Sequence, residues 1–116
     1  MAELQQIIEQ SGPLPISATA TIETDAPTAV ILAGSVWTPT ANCTIGVVLS
    51  IDGEAMAKAA IFSNGPNTHR AFVPVTIPYT FATGPSAPEP HTFELSTLTP
   101  DTTSDYNDFF SVSVLY

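Results

Sequence analysis

Phe109–Tyr116 reads FFSVSVLY. Phe110, Val112, Val114 and Tyr116 fall at every second position, with Ser111 and Ser113 between them. Successive side chains on a strand point to opposite faces, so this period predicts a β-strand with those four residues inward. The chain therefore finishes in what reads as a core strand, although chain ends are usually polar and frayed. A terminus inside a sheet is tolerated when neighbouring strands supply its hydrogen bonds. The opposite face of the same strand carries Phe109 and Leu115, where an isolated sheet normally shows polar residues.

Working outward, the same period of two recurs. Ile16, Ala18, Ala20 and Ile22 alternate with polar residues, and TAVILAGSVW over 28–37 predicts a second strand. Asp25-Ala26-Pro27 reads as the turn between them. CTIGVVLSI and AMAKAAI then place Ile45, Val47, Leu49 and Ile51 opposite Ala55, Ala57, Ala59 and Ile61. A three-residue Asp52-Gly53-Glu54 loop is expected, because it pairs Ile51 with Ala55 and Val47 with Ala59. After the SNGPN turn, HRAFVPVTIPYTF puts Ala71, Val73, Val75, Ile77 and Tyr79 on one face. Pro74 and Pro78 lack N–H groups on the same lateral side, which predicts an edge strand. A proline-stiffened loop over 82–90 and a strand at HTFELST precede the acidic loop DTTSDYND.

Residues 1–14 read differently. Leu4, Ile7 and Ile8 fall at i, i+3 and i+4, which reads as one short helical turn, too short to stand alone, or as an extended arm, closed by Gly12-Pro13. They predict an N-terminal arm that docks on a neighbour, followed by one domain over 15–116. Seven to eight strands at regular spacing, with no further helix, define an all-β, antiparallel two-sheet β-sandwich of jelly-roll type. In such folds the last strand often pairs beside the first.

Composition narrows the partners. The 116 residues include 2 basic and 11 acidic side chains, for a net charge of −9. Lys58 and Arg70 cannot neutralise a phosphate backbone or an anionic bilayer, so neither nucleic acid nor a membrane surface is an expected partner. Cys43 is the single cysteine, which excludes an intrachain disulfide. No signal-peptide pattern and no apolar run of spanning length is present, so synthesis in a cytoplasm is expected. The sequon at Asn42-Cys43-Thr44 reads as a chance match in that setting.

No catalytic motif emerges. His69 and His91 stand at strand starts without zinc-ligand spacing, and Cys43 has no activating signature. A cupin-type enzyme would need histidine and glutamate motifs that are missing. The expectation is a non-enzyme with no cofactor, no metal ligand and no catalytic residue. Asp101, Asp105, Asn107 and Asp108 crowd one loop, but their spacing does not fit an EF-hand. A solvated turn capped by its own side chains explains them better than calcium. Trp37, Tyr79 and Tyr106 are candidates for stacking on a glycan.

VLSIDGEAMAKA and the closing TTSDYNDFFSVSVLY resemble small β-sandwich proteins of tailed phages and prophages. Those carry a mid-chain I/V-D-G hairpin and close with D-x-N-D-x-F-x-V-x-x-L. Asp105, Asn107, Asp108, Phe110, Val112 and Leu115 match that ending. The resemblance covers Gly34 to Tyr116 and extends to jelly rolls of the tumour-necrosis-factor and complement type. It implies a virion location, a homotrimer and a capsid or tail protein as partner. Without a collagen-like stalk, a decoration protein is expected rather than a fibre tip. Leu4, Ile7, Ile8, Phe109 and Leu115 are the expected interface residues. The alternative expectation is a lectin-like module for host attachment.

Overall fold

The structure is a computed structural model, and it describes residues 3–22, 24, 26–81 and 90–116. The described residues form strands only: β1 Leu4–Ser11, β2 Ile16–Ala20, β3 Thr28–Val36, β4 Cys43–Ile51, β5 Glu54–Ser63, β6 Arg70–Ala71, β7 Val75–Tyr79, β8 His91–Thr97 and β9 Phe109–Leu115. One sheet runs β1-β9-β3, with β6 and β7 both on the far edge of β3; the other runs β2-β8-β4-β5. All the pairings are antiparallel. If β6 and β7 are taken as one broken edge strand, each sheet has four strands in jelly-roll order.

The terminal strand is where its alternation demands. β9 pairs with β1 on one side and β3 on the other, so both rows of its backbone groups are bonded. The ladder continues past β1, where Tyr116 N–H donates to the Glu3 carbonyl at 2.8 Å and Glu3 N–H donates back. Phe110, Val112 and Val114 are fully buried against Val30, Leu32, Phe93 and Leu95 in the shared core.

Three expectations need correction. The arm over 1–14 is β1 for most of its length: its helical spacing loses to pairing with β9, which buries Ile8 in the chain's own core. A register shift between Gln6 and Ile8 accounts for the misleading spacing, because two adjacent isoleucines lie at the irregularity. The β4–β5 loop is two residues, not three: Ile51 opposes Glu54. Asp52 and Gly53 both have positive φ, at 53° and 85°, as the tight mirror-image turn requires. A bulge at Met56 then restores the expected pairing of Val47 with Ala59, leaving Ala55 exposed. Finally, the strand predicted from His69 is broken. Phe72 turns into the core and Val73 is exposed, so Pro74 falls between β6 and β7. Pro78 does lie on the edge strand, opposite Ala29. The expected loop over 82–90 lies outside the described residues except Pro90, as do Met1 and Ala2 of the arm, Glu23 of the second segment and Asp25 of the expected turn.

The two outer faces differ. On the first sheet, registered rows read Leu4–Leu115–Ala29–Pro78, Gln6–Ser113–Ile31–Thr76 and Glu9–Ser111–Ala33. Glu9 is the only charged residue among them. On the second sheet, Ser17, Glu94, Ser50 and Ala55 form one row, and Val48 sits between Ser96 and Lys58. The second face is the more polar of the two, although it carries Phe62, 59% exposed opposite Thr44, whereas the first is largely apolar and small.

Gly46 separates backbone space from backbone freedom. A Cβ there would lie 2.0 Å from the Ala59 carbonyl oxygen, whereas one on Gly53 meets nothing within 4 Å. Gly46→Ala must push β4 from β5 and should cost at least about 2 kcal/mol in urea denaturation. Gly53→Ala carries only the positive-φ penalty, about 1 kcal/mol. Equal losses in the two variants would contradict this register.

Candidate functional site

β3, the β5–β6 connection and the β8–β9 connection meet at one end of the sandwich. Inward alternation along β9 runs back through Phe110 to Asp108, so a carboxylate sits at a core position and is fully buried. Its partners are all supplied. Oδ1 accepts from Ser35 Oγ on β3 at 2.7 Å and pairs with His69 Nδ1 at 2.7 Å. Oδ2 accepts the Asp105 backbone N–H at 3.0 Å. The Asp108 carbonyl takes the Gly12 N–H at 2.8 Å, which fastens the β1–β2 connection as well. A buried charge persists only with such compensation.

Asp105 is held as firmly. Its Oδ1 accepts the Asn107 N–H at 2.8 Å, and its carbonyl accepts the Asp108 N–H at 3.0 Å. Its Oδ2 faces His69 Nε2 at 3.9 Å, beyond hydrogen-bonding reach. The Trp37 ring lies 5.8 Å from the His69 ring on another side, tilted by 43°. Trp37 is itself pinned by paired backbone bonds to Thr103, at 2.9 and 2.8 Å. Its indole Nε1 is buried without a partner among the described residues. The hydrogen bond to Asp108 raises the His69 pKa most; desolvation opposes this, and the fields of Asp108 and Asp105 add to the rise.

Serine, histidine and aspartate therefore converge here, but not as a nucleophilic relay. In a triad the imidazole bridges hydroxyl and carboxylate, so that it can take the hydroxyl proton. Here the Ser35 hydroxyl donates a hydrogen bond to Asp108 directly, and no hydrogen bond joins it to the imidazole among the described residues. The arrangement holds loops together and leaves one imidazole nitrogen and one carboxylate oxygen facing each other.

A second histidine–aspartate pair closes the opposite end. His91 Nδ1 lies 2.7 Å from Asp52 Oδ2, and Asp52 Oδ1 accepts the Thr92 N–H at 2.9 Å. Phe81 packs edge-on against His91 at 5.0 Å, which buries the imidazole. This pair anchors the β4–β5 turn to β8.

The sequence-expected residues are divided by this geometry. Leu4, Phe109 and Leu115 lie exposed on the outer face of the first sheet. Ile7 packs against the core and Ile8 is inside it, so neither belongs to that face. Tyr106 is 77% exposed on the β8–β9 connection, which is joined to Trp37 through Thr103. Tyr79 is at the other end of β3, about 25 Å away at the usual rise per residue. It packs on Phe81 at 4.6 Å, and burial, then Asp52 and Glu54, lift its pKa. The three aromatics do not form one platform. In the acidic loop, Asp105 and Asp108 come together with His69, whereas Asp101 is exposed on the preceding turn. His69 and Ser35 were not legible as partners of Asp108, since they lie 39 and 73 residues away.

The sequence matches no known protein-family model, and a comparison with curated proteins returns no match.

Asp108→Ala strands three donors and should cost roughly 2–4 kcal/mol in urea, against roughly 1 kcal/mol for Ser35→Ala. The His69 pair has its own pH signature. Its pKa is raised on folding from the ordinary 6.5, so its stabilisation is complete below that value and fades as pH rises through the folded value. The difference in melting temperature between wild type and His69→Gln should shrink across that window. A difference that grows with pH would contradict the pairing.

Proposed function

We propose that this protein is a non-catalytic structural component of a phage virion, a capsid decoration or tail-associated protein. It self-associates, most simply as a trimer, and binds neighbouring virion subunits by matched surface burial. The observation that carries this reading is the outer face of the first sheet. Phe109 and Leu115 are 51% and 38% exposed there, beside Leu4, Ala29, Ile31 and Pro78. Contiguous apolar surface of this kind marks interaction sites. The charge supports the placement: in a chain of net charge −9, this face is where like subunits can approach with least repulsion. Ser111, Ser113 and Ala33 between the larger residues allow close approach. The closing motif from Asp105 to Leu115 and its resemblance to phage β-sandwich proteins supply the virion setting. With residues 4–11 in the sheet, contact with neighbours falls to this face rather than to an arm.

Burying Phe109 and Leu115 contributes roughly 3–6 kcal/mol, enough to matter for association but short of fixing it alone. Light scattering should give an oligomeric mass for the wild type. Phe109→Ser combined with Leu115→Ser should yield a folded monomer by circular dichroism. A wild type that stays monomeric at high concentration refutes self-association, and an unchanged mass for the double variant refutes this face. The alternative, a carbohydrate-binding module, rests on Tyr106, exposed beside Asp105 and Asn107. Glycan binding that Tyr106→Ala abolishes, in a protein that does not bind virions, would favour it.

A further inference from the structure

Beyond any assembly role, we infer that His69 and Asp105 form a binding site for a divalent transition-metal ion such as Zn²⁺, with His69 held in place by Asp108. Three features of the pair fit an ion. First, the imidazole is oriented from within. Asp108 Oδ1 lies 2.7 Å from Nδ1, so in the neutral ring Nδ1 carries the proton and Nε2 presents its lone pair. A buried carboxylate behind the far nitrogen is the arrangement that fixes tautomer and direction in metal-ligating histidines. Trp37 restrains the same ring from another side.

Second, the carboxylate is aimed. Asp105 spends Oδ1 on the Asn107 N–H, and Oδ2 has no hydrogen-bond partner among the described residues. Third, these two electron-rich atoms face each other at 3.9 Å. That is too far for a hydrogen bond, yet bonds of about 2.1 Å from one ion to each atom reach across it, and a tetrahedral angle asks the pair to close by only about half an ångström. The two side chains are about equally open to solvent, at 36% and 40% exposure, so water can complete the coordination. One imidazole and one carboxylate select zinc and its first-row neighbours over calcium or magnesium, which prefer oxygen alone. The ion needs no change in the core, because Asp108 keeps its bonds to Ser35 and to the Asp105 N–H.

The test is calorimetric titration of ZnCl₂ into the full chain, carried out in a Cys43→Ser background to remove the free thiol, with proton NMR of the imidazoles. One ion should bind per chain and shift the His69 ring signals while leaving those of His91 in place. His69→Gln and Asp105→Asn should each weaken binding about tenfold or more. Asn retains an acceptor for the Asn107 N–H, and circular dichroism establishes that both variants are folded. Absence of binding at millimolar Zn²⁺ overturns the site, as does binding that either variant leaves unchanged. Binding lost only on His91→Gln, or binding seen only when Cys43 is present, assigns the metal elsewhere and overturns the site equally.

Discussion

The Asp108 carboxylate is the point at which four separate stretches of chain are made to agree. It bonds β3 through Ser35, the β5–β6 connection through His69, and its own loop through Asp105, while its backbone holds Gly12. A carboxylate taken out of water without partners would destabilise the fold by several kcal/mol, so the cost of its burial enforces the geometry around it. No apolar residue at this position would demand that the three connections converge. The fold thus uses one expensive group to fix loops that apolar contacts alone leave free to shift.

The space beside that group is shaped by glycine. The Phe110 ring lies over Gly34, where a Cβ would come within 2.6 Å of it, and close to Gly12, where the distance would be 3.1 Å. This buried ring thus abuts two positions without side chains, beside the Asp108 network, and Phe72 shares the space over Gly34. At the other end, Phe81, Phe93, Tyr79 and His91 share the space through edge-on and tilted contacts. Each end is closed by a histidine–aspartate pair over an aromatic floor.

Most of this architecture was legible because alternation is a local property. β3, β4, β8 and β9 each announce their inward residues by parity, and Asp108 itself continues the parity of Phe110, Val112 and Val114. That continuation was the available signal for the buried carboxylate. Its partners were not legible, since they are fixed by sheet order rather than by spacing. Errors arose where the period breaks. The bulge near Ile8 imitated a helical turn, the bulge at Met56 imitated a longer loop, and the step at Phe72–Pro74 exchanged inward and outward residues in mid-strand. A bulge adds one residue to one strand and leaves no compositional mark, so only the partner strand reveals it.

The place of β9 between β1 and β3 has a consequence for the order in which the molecule can be made. As the chain leaves the ribosome, β1 and β3 emerge early, but neither can pair with the other in this topology. β1 waits for residues 109–115, the last of the described strands in chain order, whereas β3 already has β6 and β7 on its other edge. Until then β1 has no strand partner in its sheet, and such unpaired strands are open to off-pathway pairing. The second sheet is under no such constraint, since β4 and β5 form a hairpin and β8 joins them before β9 exists. The nascent chain can therefore complete one layer while the other waits, which makes closure of the first sheet a late, long-range event.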